Sequence, residues 1–305
     1  MGEETSPATI QKVDQKSVYK TYKKRSQLGS VVRRYMRNRS AMIGLILFLV
    51  IGLACILAGI YMNYNARAVD QNMIGRFQSP SFTHWFGTDQ YGRDQFARVV
   101  FGGRTSLVTA LCVIIIATAA GAVIGAIAGY YGAMTDNVIM RVNDIFYSIP
   151  YTLMAVCIVA SLGGGMFNLA IACVVAIVPG NVRLFRAWVM PLKGQDFIEA
   201  ARAYGTKGRR VLMHHIIPNT LGPIIVQATL HLAGTVIAVA GLSYIGLGVQ
   251  APTPEWGAML SESQPYMRDH PYLVIIPGIA ILLATLTLNL IGDGLRDALD
   301  PKMKY

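Results

Sequence analysis

Apolar and polar residues follow one another along this chain in long blocks. Six apolar runs lie near residues 41–61, 107–130, 142–162, 166–182, 219–249 and 272–292. Most exceed the roughly 18 residues that mark a membrane-spanning candidate, because about 20 helical residues cross the hydrocarbon core of a bilayer. The pattern predicts an all-α integral membrane protein with six transmembrane helices. The fourth run is short and the third contains Asp144, so these two spans depart most from the ideal pattern.

The polar residues at the start of the chain form a separate region. Residues 1–40 carry ten Lys and Arg and no apolar run, which predicts a cytoplasmic tail without a cleavable signal peptide. Between Gln27 and Arg39, apolar residues recur at helical spacing among arginines, which predicts an amphipathic helix at the membrane surface. A helical extension of the first span is the alternative. We divide the chain into this region and a transmembrane domain, residues 41–305.

Composition and charge narrow the class of protein. With 53% hydrophobic and 14% charged residues, the chain is too apolar for an ordinary soluble domain. The net charge of +11 is distributed unevenly: residues 62–105 and 250–271 hold six of the 27 Lys and Arg, and the other segments outside the spans hold the rest. Because Lys and Arg remain on the cytoplasmic side, this bias predicts that both termini are cytoplasmic, and it argues against a nucleic-acid partner.

The four cysteines lie in apolar runs, which suggests neither a disulfide framework nor a zinc site.

A polar, basic segment at residues 191–218 separates the fourth and fifth apolar runs. Asp196 is predicted to cap a short helix, and Glu199 lies three residues on, where its carboxylate can reach back to the capping residue. Gly205 is predicted to end that helix, and Pro218 to end a second one. A narrow, alanine-rich helix between two spans is typical of a docking element for a soluble partner.

This segment resembles the Glu-Ala-Ala loop of ABC importer permeases. The family pattern is Glu-Ala-Ala, a Gly four residues after the second Ala, and a Pro thirteen residues after that Gly. The matching residues are Glu199, Ala200, Ala201, Gly205 and Pro218. The ending from His215 to Asn219 resembles the dipeptide and oligopeptide branch. The resemblance implies that these residues form a coupling loop that docks on a cytoplasmic ATPase subunit.

A second stretch, before the second apolar run, is similar to the hallmark of the C-type permease of peptide importers. Its Gly-Thr-Asp-x-x-Gly-Arg-Asp pattern comprises Gly87, Thr88, Asp89, Gly92, Arg93 and Asp94. The glycines allow tight turns, and the aspartates can cap a helix or pair with Arg93 and Arg98. Two interpretations remain open: an outer contact with the substrate-delivering protein or a gate, and a loop folded on itself by its own ion pairs.

Further stretches carry the same resemblance towards the end of the chain. Residues 242–249, with the Pro-x-Pro-x-Trp-Gly stretch after them, and residues 292–301 look like the family's corresponding segments. One position departs from the family. Many members carry Glu three residues before Leu242, where this chain has Val239. A substrate-gripping carboxylate at that position is therefore in doubt here.

Small residues and proline predict how two of the spans are built. Gly121, Gly125 and Gly129 recur every fourth position of the second span, which allows another helix to approach closely. We interpret this stripe as helix packing, because it supplies no chemistry. Pro179 and Gly180 are predicted to kink or end the fourth span.

Ionisable residues inside the apolar runs are candidates for function by default. Arg141 and Asp144 lie three residues apart and are predicted to neutralise each other near the cytoplasmic boundary; a proton relay is the alternative. His231 is predicted either to form an interhelical hydrogen bond or to face a pore. The five histidines are far apart in sequence, so no metal site is predicted.

The chain lacks the common sequence motifs of nucleotide-hydrolysing enzymes, serine hydrolases and zinc proteases. It contains no phosphate-binding Gly-x-x-x-x-Gly-Lys-Ser/Thr loop, no Gly-x-Ser-x-Gly elbow and no His-Glu-x-x-His pattern. We therefore expect no catalytic site and no cofactor bound by this chain. A different class of function, an ATP-independent secondary transporter or channel, would favour inverted repeats and charges at mid-membrane.

The resemblance implies a permease subunit that imports peptides across a bacterial or archaeal cytoplasmic membrane. Its implied partners are a second similar permease, two cytoplasmic ATPase subunits that use ATP and Mg, an external substrate-binding protein and membrane lipid. Nickel complexes and other small solutes are the alternative substrates.

Overall fold

The structure is a computed structural model that describes residues 27–299. Residues 1–26 and 300–305, which include most of the predicted tail, lie outside the described residues. Within residues 27–299 the regular structure is helical, apart from an isolated antiparallel bridge between Thr88 and Asp94. The α-helices of this region are α1 Gln27–Arg37, α2 Arg39–Tyr61, α3 Gln95–Tyr131, α4 Ala133–Tyr147, α5 Tyr151–Leu162, α6 Met166–Leu192, α7 Asp196–Ala203, α8 Gly208–Val211, α9 Ile217–Tyr244, α10 Trp256–Ser263 and α11 Tyr272–Leu299.

Five helices of the described region are long and apolar enough to cross a membrane: α2, α3, α6, α11, and α8 with α9 as one continuous stretch. The number becomes six if the bent pair α4 and α5 forms one span. The run predicted as the third span, residues 142–162, is broken, because the two helices meet at 82°. Pro150 explains the break: it has no N–H to donate, and it disfavours helical geometry at Ile149.

Of the two outcomes predicted for Pro179 and Gly180, a kink or an end of the fourth span, the structure excludes the end. Helix α6 continues through Pro179 and Gly180 to Leu192, so these residues do not end it. Asn143 of α4 donates a hydrogen bond of 3.2 Å to the Pro179 carbonyl. A proline inside a membrane helix leaves the carbonyl four residues back, here that of Val175, without its N–H donor, and membrane helices tolerate this.

The glycine stripe lies in the most extensive helix contact of the bundle, between α3 and α6. A β-carbon added at Gly125 would lie 2.5 Å from the Val182 carbonyl oxygen and 2.9 Å from the Arg186 nitrogen. One added at Gly129 would lie 3.0 Å from the Arg186 oxygen. Gly121 meets α6 in the same way at Asn181. Only glycine allows the two backbones to approach this closely.

The amphipathic helix is separate from the first span. Asn38 lies between α1 and α2 with extended backbone angles, and its side chain accepts a hydrogen bond of 3.3 Å from the Ala41 N–H. Its amide also donates to Asp297 of α11 at 3.1 Å. The alternative of one continuous helix is therefore wrong.

Two ends of the bundle carry the polar segments. Residues 62–94 and 250–271 lie together at one end, which we call the loop end, since Arg93 contacts Glu262 there. Residues 193–210, between α6 and α9, lie at the other end. They contain α7 and the start of α8, which we call the hairpin, and this end is the hairpin end.

Candidate functional site

Helix α7 carries most of the predicted docking residues at the hairpin end. It begins one residue earlier than predicted: Gln195 is the N-cap and makes no side-chain capping bond, so the predicted role of Asp196 as the cap is wrong. Asp196 and Glu199 lie instead in the first helical turn. Their negative charges oppose the positive end of the helix dipole there, which stabilises the helix without a capping box.

Gly205 ends α7 by adopting a left-handed conformation with φ of 77°. Its N–H donates to the Arg202 oxygen at 2.9 Å, and the Thr206 N–H donates to the Ala201 oxygen at 3.1 Å. These bonds satisfy carbonyl groups that the helix end would otherwise leave unpaired. A β-carbon at Gly205 would meet no atom within 4 Å, so its backbone conformation alone favours glycine.

Pro218 does not end a second short helix, contrary to the prediction. Helix α8 continues through a π-helical turn, Leu212–Ile216, directly into α9. The Ile217 N–H donates to the Leu212 oxygen, five residues back. Pro218 is the second residue of α9 and directly follows this π-helical turn.

The two alanines of the triplet differ in their surroundings. Ala200 and Glu199 are exposed, whereas Ala201 is half-buried against the chain's own cluster around Tyr130 and Ile198. Beside Ala200, the side chains of Phe197 and Tyr204 are 41% and 91% exposed. An open groove of about 730 Å³ lies beside the end of α7, between Tyr204 and His214. Its lining includes four basic side chains: Lys207, Arg209, Arg210 and His214. The free face of the hairpin is therefore apolar at α7 and basic behind it.

At the loop end the predicted contact residues form an interior. Arg93 and Arg98 are buried and share two carboxylates. Asp89 lies 2.6 Å from Arg93 and 3.5 Å from Arg98, and Glu262 of α10 lies 2.6 Å and 3.0 Å from the same two arginines. Two positive and two negative charges thus neutralise each other and bind the loop to α10.

The other residues of that motif shape the same loop. Gly87 and Gly92 have φ of 75° and 74°, and added β-carbons would overlap the backbone of Gln78 and Asn72. Asp94 caps α3 by accepting a hydrogen bond of 3.1 Å from the Ala97 N–H. Thr88 is buried and donates to the Gly75 oxygen.

These contacts support the interpretation of a loop folded on itself. Thr88, Asp89, Arg93 and Asp94 are too buried to present an outer contact surface. The most exposed apolar side chains of residues 62–94 and 250–271 are Ile74, Phe82 and Trp85.

Two carboxylates were missed by sequence reasoning. Glu255 is fully buried, caps α10 through the Ala258 N–H at 2.8 Å, and accepts a hydrogen bond from Ser106 at the same distance. Its place just before Trp256 and a short helix was a capping signal. Glu262 had no such signal, because its partners lie more than 160 residues away.

The ion pairs inside the spans also differ from their prediction. Asp144 pairs with Arg183 of α6 at 2.6 Å, and no bond to Arg141 is present. A second pair joins the same two helices, with Arg186 donating from two nitrogens to both oxygens of Asp136. Sequence spacing favoured the neighbour on the same helix, whereas packing of α4 on α6 brought the partners from another helix closer.

His231 and Val239 lie on α9. The His231 ring contacts the Gln227 amide at 2.6 Å, one turn away on the same helix. Within residues 27–299 it makes no interhelical bond, and it lies beside an open cavity. Val239 is fully buried with Leu169 and Cys173. An apolar contact thus occupies the position where many relatives carry Glu.

Comparisons with known proteins identify the family. Residues 121–305 match the binding-protein-dependent transport system inner membrane component family, and residues 26–80 match the N-terminal TM domain of oligopeptide transport permease C. The chain is 44% identical over 272 residues to the dipeptide transport system permease protein DppC of Alkalihalophilus pseudofirmus, covering 89% of each chain.

Two further relatives are also permease proteins of transport systems. The glutathione transport system permease protein GsiD of Escherichia coli is 40% identical over 273 residues, again 89% of each chain. A putative peptide transport system permease protein of Brucella abortus is 39% identical, covering 92% of this chain and 94% of the relative. With its helical bundle and its Glu-Ala-Ala hairpin, the chain belongs to the family of inner membrane components of binding-protein-dependent transport systems.

Proposed function

We propose that this chain is the transmembrane permease subunit of an ATP-driven importer of small peptides. The observation that carries the proposal is the exposed face of α7, with Ala200 between Phe197 and Tyr204, held at the end of a membrane bundle. An exposed apolar patch on a polar end marks a protein-binding surface. In a protein of this family, an ATPase subunit at the cytoplasmic face is the partner that fits.

The hairpin is built to transmit force from such a partner. Ile198 of α7 is fully buried in a cluster with Tyr130 of α3 and Val189 of α6, so α7 cannot move independently of these spans. The glycine stripe then fixes α3 against α6. ATP binding closes the two ATPase subunits, and α7 converts that closure into movement of both helices. The transporter thus switches between two states under a ligand that is bound elsewhere.

The remaining partners follow from the same family. A second, similar permease encloses the pathway with this chain, and an external binding protein delivers substrate at the loop end. ATP and Mg belong to the ATPase subunits. The names of the three relatives, for dipeptide, glutathione and peptide transport, favour peptides over nickel complexes as the substrate.

Reconstitution tests the proposal directly. The chain is purified with its partner permease, ATPase subunits and binding protein, and is placed in liposomes. We expect uptake of a radiolabelled dipeptide only when ATP and the loaded binding protein are both present. Uptake without ATP would instead indicate a secondary transporter or channel. Preferential uptake of a nickel complex would support the alternative substrate.

A further inference from the structure

A cavity of about 320 Å³ opens on one side of the bundle between α6, α9 and the start of α5. Its lining includes Asn181 and His231, each close to the middle of its helix. Tyr151 lines it at the point where the bent pair α4 and α5 breaks. Polar side chains therefore gather around a broken helix inside the spans.

One of these side chains lacks a partner. Asn181 is 2% exposed, and its amide nitrogen makes no hydrogen bond to any group in residues 27–299. A buried amide without a partner costs free energy, and such groups commonly await a ligand or water. His231 also lines the cavity, and its ring is hydrogen-bonded to Gln227 on the same helix.

The Asp144–Arg183 ion pair continues this polar strip. Arg183 lies one helical turn from the cavity-lining Gly180, and its guanidinium stacks over the Tyr147 ring at 4.0 Å. The same ring lies 3.9 Å from a β-carbon added at Gly180. The side chains of Arg183 and Asp144 are 48% and 55% exposed.

The exposure of Arg183 and Asp144 indicates what surrounds this part of the spans. Charged side chains inside membrane helices face water or other protein, because hydrocarbon cannot solvate them. The second ion pair between the same helices, Asp136 with Arg186, is more buried, with side chains 15% and 27% exposed. The open pair therefore faces water or another protein and not hydrocarbon.

We propose that Asp144 and Arg183, together with Asn181 and the Gln227–His231 pair, form a transit site that binds the two charged ends of a zwitterionic peptide during import. Arg183 offers a planar fork that suits the peptide carboxylate, and Asp144 accepts hydrogen bonds from the peptide ammonium group. The unpaired Asn181 amide bonds the peptide backbone. When the site is empty, Asp144 and Arg183 neutralise each other.

This inference rests on the proposed function, and a pair of double variants separates the two. Asp144→Asn with Arg183→Gln removes both charges of the open pair. Asp136→Asn with Arg186→Gln removes those of the control pair between the same helices. In reconstituted complexes, we expect the first variant to import at least about tenfold less dipeptide per ATP hydrolysed, the change that losing one charge-assisted hydrogen bond gives. We expect the control to import dipeptide at the wild-type ratio.

Equal import by the first variant and the wild type would overturn the transit site. So would an equal loss in both double variants, which would indicate a structural role for both pairs. If the wild-type complex imports no peptide, the proposed function fails instead.

A labelling experiment tests the site without transport. A cysteine replaces Gly234, which lines the cavity and has room for a side chain, in a background without the four native cysteines. Ile46, exposed on α2, gives the control position. We expect a water-soluble maleimide to label Gly234→Cys in the assembled complex at least about tenfold faster than Ile46→Cys. Excess dialanine should slow this labelling, whereas N-acetyl-dialanine amide should not. Equal labelling at the two positions, or equal protection by the two peptides, would overturn the proposal.

Discussion

Arg93 and Arg98 bring two positive charges into the interior of the loop end, where each is about 2% exposed or less. A buried guanidinium is stable only when carboxylates and hydrogen bonds replace its water. Asp89 supplies one carboxylate from the loop itself, and Glu262 supplies the other from α10. The residues of the peptide-importer hallmark thus hold the loop in one conformation against the rest of the chain.

Replacing Glu262 with Gln should therefore destabilise the protein. The substitution leaves one carboxylate for two buried arginines, and breaking a buried ion pair in this way costs about 3–5 kcal/mol. Thermal unfolding in detergent should show a midpoint lower by several degrees. Asp269→Asn, which changes an exposed carboxylate in the same segment, serves as the control and should leave the midpoint unchanged. Equal midpoints for both variants would show that Glu262 does not stabilise the two buried arginines.

At the scale of elements, α7 has two faces with separate tasks. Ile198 and Ala201 pack on the chain's own core cluster, whereas Glu199 and Ala200 point away from it. A large side chain at Ala201 would disturb the protein itself. Only Ala200 tests docking without that complication.

We expect Ala200→Arg to detach or uncouple the ATPase subunits while the chain still enters the membrane. The bulky charged side chain would occupy the surface on which the ATPase packs. Co-purification of the ATPase with the permease and ATP hydrolysis in response to the loaded binding protein measure the effect. A second variant, Glu199→Arg, tests whether the Glu199 carboxylate contacts a basic group of the partner or only stabilises the start of α7. Normal coupled transport by Ala200→Arg would remove the basis for the docking assignment.

Gly205 gives a second test of the same element. Valine in its left-handed conformation costs about 1–2 kcal/mol, whereas asparagine tolerates that conformation. An added β-carbon would meet no atom within 4 Å, so backbone strain is the difference that we expect between them. Gly205→Val should reduce dipeptide uptake in liposomes, and Gly205→Asn should retain most of it. Similar uptake by the two variants would show that the end of α7 is not needed in this geometry.

The contact between α3 and α6 gives a third test. Leucine at Gly125 would overlap the backbone of α6 at Val182 and should prevent the close approach of the two helices. The yield of folded protein and of assembled complex after purification should fall severalfold. Leucine at Gly52, where an added β-carbon would meet no atom within 4 Å, should leave the yield unchanged. A normal yield for Gly125→Leu with altered transport would place this face on the pathway instead.

At the scale of the whole molecule, the charge bias predicts the hairpin end inside the cell and the loop end outside. Single cysteines at Gln78 and Gln264, both exposed, should react with an impermeant thiol reagent on intact cells. A cysteine at Lys207 should react only after the membrane is permeabilised. Ser263 is buried and is unsuitable for this test. Reaction at Lys207 on intact cells would reverse the orientation.

Local sequence patterns predicted much of the molecule because their causes are local. Long apolar runs require helices in a membrane, since every backbone group must bond within its own segment. The glycine stripe predicted a close helix contact, and Gly205 predicted a helix end. The order of the Glu-Ala-Ala and Gly-Thr-Asp patterns led to the family that the comparisons confirmed.

The sequence by itself thus determined the class of protein, the span-forming runs and the family. Only the tertiary structure decided which charges pair, such as Asp144 with Arg183 and Arg93 with Glu262. It also decided that the third run breaks at 82° and that the chain continues helically through Pro218. Apolar patterning acts within one segment, whereas an ion pair depends on which segments pack together. Residues far apart in sequence carry no local sign of that packing.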